Sequence, residues 1–437
     1  GGVADVIEER AQSSEKMTFK NASISTLISL ITLGSGGSAG REGPVVYFAA
    51  AVAKSLFGFF ELPPSARRAM LACGVAAAIS ASFNAPIAAV LFAHEVILGH
   101  FAMTAFVPLV IAAVIAALIS GFWFGDAAIF LLPEFELTSM LEMPAFALLG
   151  IVCAIVAILF QSSMIGAEWM NRRVNLPTVI RPMLGGFLVG LIALAFPQIL
   201  GVGYEATSAA LSNRLELWLL LALIVAKTLA TAITISSRMG GGVFSPSLYL
   251  GAMTGGAFGI IAAQFFPDLA SSPAIYATIG MAAVAAAVLG APVSTAVMIF
   301  EMTGSFSISI SVLLAVSIST GVSQAAMGRS YFFWQLYTRG IMLEEGPHTH
   351  LAKQIYVRDL VTSFGEDETV PDFDPNMLWL KDTDTLAAAL ASFSNSGRTR
   401  LLATKGKENQ PVGWVYHVDA LANFNKALLD QSREEHG

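Results

Sequence analysis

Arg41 and Glu42, adjacent ionisable residues, sit inside the glycine-rich phrase Gly34-Ser-Gly-Gly-Ser-Ala-Gly-Arg41-Glu42-Gly43-Pro44. Apolar stretches long enough to cross a membrane flank this phrase, and ionisable groups in that setting usually serve a function. A carboxylate there can hold a proton or a countercharge. The apolar run Val45 to Ala53 behind Pro44 marks a helix that starts at the phrase, part-way through the bilayer, with its first backbone N–H groups able to face an anion. A second phrase of the same design, Gly240-Gly-Gly-Val243-Phe244-Ser245-Pro246, lies in the other half of the chain. Two half-helix N-termini, one from each half, predict a shared anion site near the membrane midplane.

The elements that must hold these phrases are membrane helices. Hydrophobic residues make up 55% of the chain, charged residues 13%, and the mean hydropathy is +0.68. No Lys or Arg occurs between Arg68 and Arg172, a stretch holding the apolar blocks Ala69 to Ser82, Ile87 to Leu98, Phe101 to Trp123 and Pro144 to Phe160. Several blocks are short or interrupted by Gly and Pro, which predicts tilted, broken or re-entrant helices. Arg172, Arg173 and Arg181 place that end of the chain in the cytoplasm, and the Lys- and Arg-free loop 124 to 143 is expected outside. The net charge of −7 is concentrated at the chain ends and in the acidic segment Asp126 to Glu142; with no basic stripe, nucleic acid is excluded as a partner. Cys73 and Cys153 lie in apolar runs and read as small buried hydrophobes. The opening Gly1-Gly-Val-Ala-Asp5, without an initiator Met, reads as a fragment from which N-terminal helices are missing.

An internal repeat organises the chain. Gly74 to Pro86 aligns without gaps on Gly280 to Pro292, and beyond each proline an apolar run reaches a glutamate in the same column, Glu95 and Glu301. Each half has its own helix-start phrase a similar distance upstream, the pattern of repeats inverted about an axis in the membrane plane.

These residues carry a resemblance. The chain is similar to the CLC family of chloride channels and proton-coupled chloride antiporters: Gly40-Arg41-Glu42-Gly43-Pro44 matches its GREGP motif, Gly241 to Pro246 its GGxFxP motif, and Phe83-Asn-Ala-Pro86 with Glu95 and Ala291-Pro292 with Phe300-Glu301 fit the helices that follow. The likeness covers about residues 1 to 342. It implies an all-α polytopic membrane protein built as a CLC-type inverted repeat with broken and re-entrant helices. It also implies a homodimer with one anion pathway in each subunit, in the bacterial inner (plasma) membrane, with the tail in the cytoplasm. Glu42 would be the gate, competing with the anion for the helix N-termini and withdrawing when protonated. Arg41 and Gly43 would stand at the anion site. Val243 and Phe244 would offer backbone amides to chloride, in the absence of a fixed cation that would bind too tightly for flux.

Three positions depart from the family pattern. The inner glutamate that hands protons inward in antiporters is Val96, and valine carries no proton. His94 or Glu95 could substitute, although Glu95 is expected to be a structural hydrogen-bond partner. The pore tyrosine falls on Phe332, which lacks the hydroxyl donor, while Tyr331 would reach the ion only if its helix were rotated by one residue. The serine donor position falls on Gly1 or at the chain edge. The expectation is therefore chloride transport by channel-like conduction, with proton-coupled antiport by another inner route as the alternative. Bromide, nitrate and fluoride are further candidate ions.

The domain boundaries expected are a membrane domain at 1–342, a linker at 343–356 and a cytoplasmic segment at 357–437. In the last, Val357 to Val361, Leu378 to Leu380, Thr385 to Phe393, Arg400 to Ala403 and Val412 to Asp419 alternate short strands with helices and resemble one divergent CBS motif, giving a small α/β domain. Such modules pair and often bind adenine nucleotides. No nucleotide-binding residues are recognisable in this copy, so docking or regulation is expected, no cofactor is called for, and His348 and His350 read as solvated linker residues. A membrane-embedded nucleotide-binding enzyme would need the Lys-Ser/Thr of a P-loop, which the glycine phrase lacks, and an intramembrane serine hydrolase would need a dyad histidine that no adjacent helix supplies.

Overall fold

The computed structural model describes residues 1–12, 17–57, 63–125, 130, 139–173, 177–304, 306–341, 355–364, 378–405 and 410–436. Most of the acidic loop 126 to 142 and of the linker 343 to 356, with His348 and His350, lies outside the described residues. The chain forms two compact units, Gly1–Phe101 with Ala105–Ile341, and Ala102–Thr104 with Met342–Gly437.

The larger unit is helical. Its helices are α1 (Val3–Gln12), α2 (Phe19–Gly34), α3 (Glu42–Phe57), α4 (Pro64–Phe83), α5 (Pro86–Phe92), α6 (Met103–Phe124), α7 (Met143–Arg173), α8 (Ile180–Ala195), α9 (Tyr204–Leu211), α10 (Leu217–Ser236), α11 (Phe244–Phe265), α12 (Pro273–Leu289), α13 (Pro292–Thr303), α14 (Phe306–Met327) and α15 (Tyr331–Thr338). Among the described residues, Met103–Phe124, Met143–Arg173, Leu217–Ser236, Phe244–Phe265 and Ile308–Thr338 are long and apolar enough to cross a membrane. The 7-residue α5, the 12-residue α13 and the 8-residue α15 are too short to do so. A non-spanning helix is tolerated at membrane depth only where protein surrounds its polar ends.

The core is the pair α11 and α12. Every residue of α12 from Ala274 to Leu289 is buried, so it is apolar all round. Small residues permit the contact: a Cβ added at Gly255 would stand 1.9 Å from the Tyr276 carbonyl oxygen, and one at Gly251 would stand 2.3 Å from that of Gly280. At the periphery, α6 turns Phe122, Trp123 and Phe124 outward, as a lipid-facing helix does.

The internal repeat appears as reciprocal hydrogen bonds. Glu95 accepts from the amides of Val293 (3.0 Å) and Ser294 (2.9 Å) and from Ser294 Oγ (2.8 Å), at the first turn of α13. In the same way Glu301 accepts from the amides of Ile87 (2.9 Å) and Ala88 (2.7 Å), at the first turn of α5. Each carboxylate thus caps the helix of the other half, satisfying amides that have no intrahelical partner and meeting the positive end of the helix dipole. Equivalent residues contacting one another reciprocally is what a local two-fold axis produces. The turns before the two prolines match as well, with Asn84 (φ 52°) and Gly290 (φ 69°) both left-handed.

One asymmetry was not anticipated. Behind α5 the chain continues as a π-helical segment, Ala93–Leu98, closed by Gly99 N–H donating to the His94 carbonyl (2.8 Å). The corresponding end of α13 closes with Gly304 N–H on the Phe300 carbonyl (2.8 Å), one residue earlier relative to the glutamate. The π segment therefore absorbs one extra residue just after Glu95.

The smaller unit holds a three-stranded sheet, β1 (Trp379–Lys381) parallel to β2 (Arg400–Lys405), with β3 (Gln410–Tyr416) antiparallel to β2. Helices Leu386–Ser396 and His417–His436 accompany it, and Leu380, Leu386, Phe393, Leu401 and Val415 form its core. Of the segments named in the sequence, Val357 to Val361 holds a 3-10 turn, Val357–Asp359, with the Val357 and Arg358 amides bonded to the carbonyls of Asp384 and Asp382.

Candidate functional site

The two glycine-rich phrases meet. Gly40 N–H donates to the Gly242 carbonyl (2.7 Å) and Gly242 N–H to that of Gly40 (2.8 Å), and each glycine stands four residues before its proline, Pro44 or Pro246. A second reciprocal pair lies behind the first: Ser38 N–H donates to Thr234 Oγ1 (3.1 Å) and Gly240 N–H to Thr32 Oγ1 (3.0 Å). Ser38 matches Gly240 in the repeat, and Thr32 matches Thr234. These four bonds hold the first turns of α3 and α11 against each other. Both helices begin two residues before their proline, so Glu42 in one half occupies the position of Phe244 in the other. The repeat thus puts a carboxylate at one helix start and a phenyl ring at its counterpart.

Glu42 is buried, with 1% of its surface exposed. Its Oε1 accepts from Tyr204 Oη (2.7 Å) and Ser245 Oγ (2.6 Å), and the Arg41 Nε lies 3.9 Å away. Its Oε2 is buried and has no hydrogen-bond partner among the described residues. Gly40 is required beside it, since a Cβ there would stand 2.7 Å from Oε2. Tyr204 packs edge-on against Phe130 (centroids 5.3 Å apart), and the Arg41 guanidinium lies 5.2 Å over the other ring surface.

On the Gly43 side of the junction is a cavity of about 210 Å³. Gly43, Val243, Phe244 and Phe332 all line it, so four of the residues singled out in the sequence come together in one place. Tyr331 lines it too, and its hydroxyl accepts from Gln335 Nε2 (3.2 Å). Asp5 and Arg339 form an ion pair on the same wall at 2.7 Å. Phe244 is wedged against Phe83 and Phe92 (centroids 5.1 and 5.9 Å), which fixes the start of α11. Arg41 does not join this group. Its half-exposed side chain lies over the Tyr204 ring instead. Val96 is buried in the π segment, and the neighbouring His94 stacks on Phe101 and Phe106 with Nδ1 3.0 Å from the His100 carbonyl. Glu95 spends both oxygens on the α13 cap, as expected of a structural partner.

The family model for voltage-gated chloride channels matches residues 1–324, close to three quarters of the chain. This protein belongs to the voltage-gated chloride channel (CLC) family. A ClcB-like protein of Ralstonia nicotianae is 34% identical over 320 residues, covering 72% of this chain and 74% of the relative. The H(+)/Cl(-) exchange transporter ClcA of Yersinia pestis is 29% identical over 314 residues, covering 69% of this chain and 64% of the transporter. The chain therefore spans about three quarters of the first relative and less than two thirds of the second. Among solved structures, that of a slow cyanobacterial Cl-/H+ antiporter superposes with a TM-score of 0.71 over 79% of this chain and 82% of that one, at 24% identity. The fold is accordingly the CLC transporter fold, and the protein is an integral, multi-pass membrane protein.

Sequence inspection of this CLC protein missed Tyr204. It follows Gly201-Val-Gly203 and is 162 residues from the carboxylate it contacts. The available signal was a polar hydroxyl immediately behind two glycines, in a break between apolar helices. Gly203, at φ 87°, supplies the left-handed turn that starts α9 at Tyr204.

Proposed function

We propose that this protein carries chloride, or a similar small anion, across the membrane through a pathway in each subunit of a dimer, gated by Glu42. One observation carries the proposal: a buried carboxylate sits where two half-helix N-termini from opposite halves of the chain meet, next to a cavity lined by Gly43, Val243, Phe244 and Phe332. A carboxylate and a halide are both single negative charges that favour the same amides and dipole ends, so each excludes the other. Protonation removes the competing charge. The cavity offers first-turn amides and the Phe244 and Phe332 rings, and the Arg339 charge on its wall is paired with Asp5, which suits an ion that must bind and leave. Channel-like conduction is the preferred mode, because Val96 offers no inner proton acceptor and Phe332 no hydroxyl. Proton-coupled exchange is the second mode, favoured by the exchange function for which the Yersinia relative is named. The segment 357–437 acts as a CBS-like docking or regulatory module facing the cytoplasm.

Chloride efflux and pH recorded together from liposomes bearing the full-length protein, with Glu42→Gln alongside, test this. Chloride flux without proton movement supports the channel mode. Uphill proton movement driven by a chloride gradient and abolished in Glu42→Gln establishes exchange, and absence of chloride flux overturns the proposal.

A further inference from the structure

We infer that Tyr204 is a latch: its hydroxyl holds the Glu42 carboxylate in the closed position and sets how readily the gate is released. The inference rests on the gating role proposed for Glu42.

Glu42 is held by one oxygen only. Tyr204 Oη and Ser245 Oγ both donate to Oε1, while Oε2 is buried without a hydrogen-bond partner among the described residues. The two donors differ in what carries them. Ser245 belongs to the first turn of α11, so it moves with the amides of Val243 and Phe244. Tyr204 comes from a third element, α9, whose preceding loop is fastened to α10 and also to α11, where Tyr249 Oη donates to the Gln198 carbonyl (3.4 Å). Lys227, fully buried in α10, donates through Nζ to the carbonyls of Ile199 (2.9 Å) and Gly201 (3.0 Å), fastening the loop that delivers Tyr204. The Tyr204 hydroxyl thus belongs to neither half-helix, although it also stands 3.4 Å from Ser245 Oγ, and the carboxylate is tied against it.

The tie depends on charge. A phenol donating to an ionised carboxylate makes a hydrogen bond about twice as strong as one between neutral groups, so a proton on Glu42 weakens the tie and frees the side chain. Because Oε2 accepts no hydrogen bond among the described residues, every bond to the ionised carboxylate runs through Oε1. The other ionisable groups around Glu42 are Arg41, at 3.9 Å, and, across the cavity, the Asp5–Arg339 pair and Tyr331. None of them donates to Glu42 at hydrogen-bond distance, so the hydroxyl of Tyr204 is the specific element. Phenylalanine keeps the ring contacts with Phe130 and Arg41 and removes, besides the bond to Glu42, only the longer 3.4 Å contact of the hydroxyl with Ser245 Oγ among those described.

The test is chloride flux from liposomes across a pH series for the full chain, Tyr204→Phe, Glu42→Gln and the double variant, each first checked for an unchanged size-exclusion profile. Loss of one hydrogen bond to the charged form should raise flux at neutral pH and move the half-activation point up by about one pH unit, a tenfold change in proton concentration. In the Glu42→Gln background Tyr204→Phe should add nothing, because no carboxylate remains to be tied. An unshifted pH profile for Tyr204→Phe, or an equal effect in both backgrounds, overturns the latch while leaving the gate standing. A Glu42→Gln protein with the parent's pH profile would overturn the gate itself.

Discussion

The crossed caps of Glu95 and Glu301 predict a ranked pair of stability losses. Glu95 accepts three hydrogen bonds at the start of α13, two of them from backbone amides, whereas Glu301 accepts two at the start of α5. In Glu95→Gln one oxygen still accepts, but an NH2 group now faces a donor. The loss combines one unsatisfied amide, at about 1–3 kcal/mol, with weakened charge assistance on the remaining bonds. Reduced compensation of the helix dipole adds about 0.3–1 kcal/mol. Together these give roughly 3 kcal/mol for Glu95→Gln, and about 1 kcal/mol less for Glu301→Gln, which has no hydroxyl donor to lose. With roughly 2 cal/mol/K per residue of unfolding entropy, 3 kcal/mol corresponds to a fall in Tm of about 4 °C for a unit of this length. The double variant should cost less than the sum, since both carboxylates join the same two helices. Thermal unfolding in detergent, followed by size-exclusion chromatography, reads these shifts. Glu168→Gln, which breaks only an exposed pair with Arg172 at 2.6 Å, is the control and should change stability by well under about 1 kcal/mol. Glutamine variants at 95 and 301 that melt with the Glu168 control would refute the capping role.

Other expectations follow from the same geometry. Gly255→Ala, whose new methyl would meet the Tyr276 carbonyl at 1.9 Å, should abolish folded protein on size exclusion, whereas Gly256→Ala, with a nearest contact of 3.4 Å at Leu220, should fold like the parent. Phe332→Tyr puts a donor on a ring that lines the cavity, so chloride binding measured calorimetrically should tighten by about 1 kcal/mol; an unchanged affinity would mean the ring edge does not meet the ion. Lys227→Met leaves the Ile199 and Gly201 carbonyls without their donor and should lower stability by roughly 2 kcal/mol in the same melting assay.

The parts of this molecule that could be read from its residues are those where a local pattern has a local cause. Glycines before Pro44 and Pro246 announce helix starts, and small residues around Pro86 and Pro292 announce the repeat, because close backbone approach leaves few other choices. Glu95 could be assigned a structural role from its column in the repeat taken together with the family resemblance. Tyr204 could not be placed, since nothing near it in sequence reveals that it meets Glu42. Thr32 and Thr234 went unnoticed for a related reason: threonine is common in apolar helices, and only the crossed bonds to Gly240 and Ser38 distinguish these two. The π segment at Ala93–Leu98 was equally hidden, because one extra residue in an apolar run leaves no compositional trace. Arg41 lies away from the expected anion cavity, over an aromatic face whose position depends on tertiary structure.

The crossed caps also order events in time. When α5 leaves the ribosome its first turn has no partner, for the carboxylate that will cap it lies 214 residues further along the chain. At about 5–20 residues per second of synthesis, that turn waits roughly 10–40 s. Throughout that interval the amides of Ile87 and Ala88 lack the carboxylate that caps them in the finished fold. The second half arrives as the missing complement, and the cap on α5 closes only once Glu301 has been made.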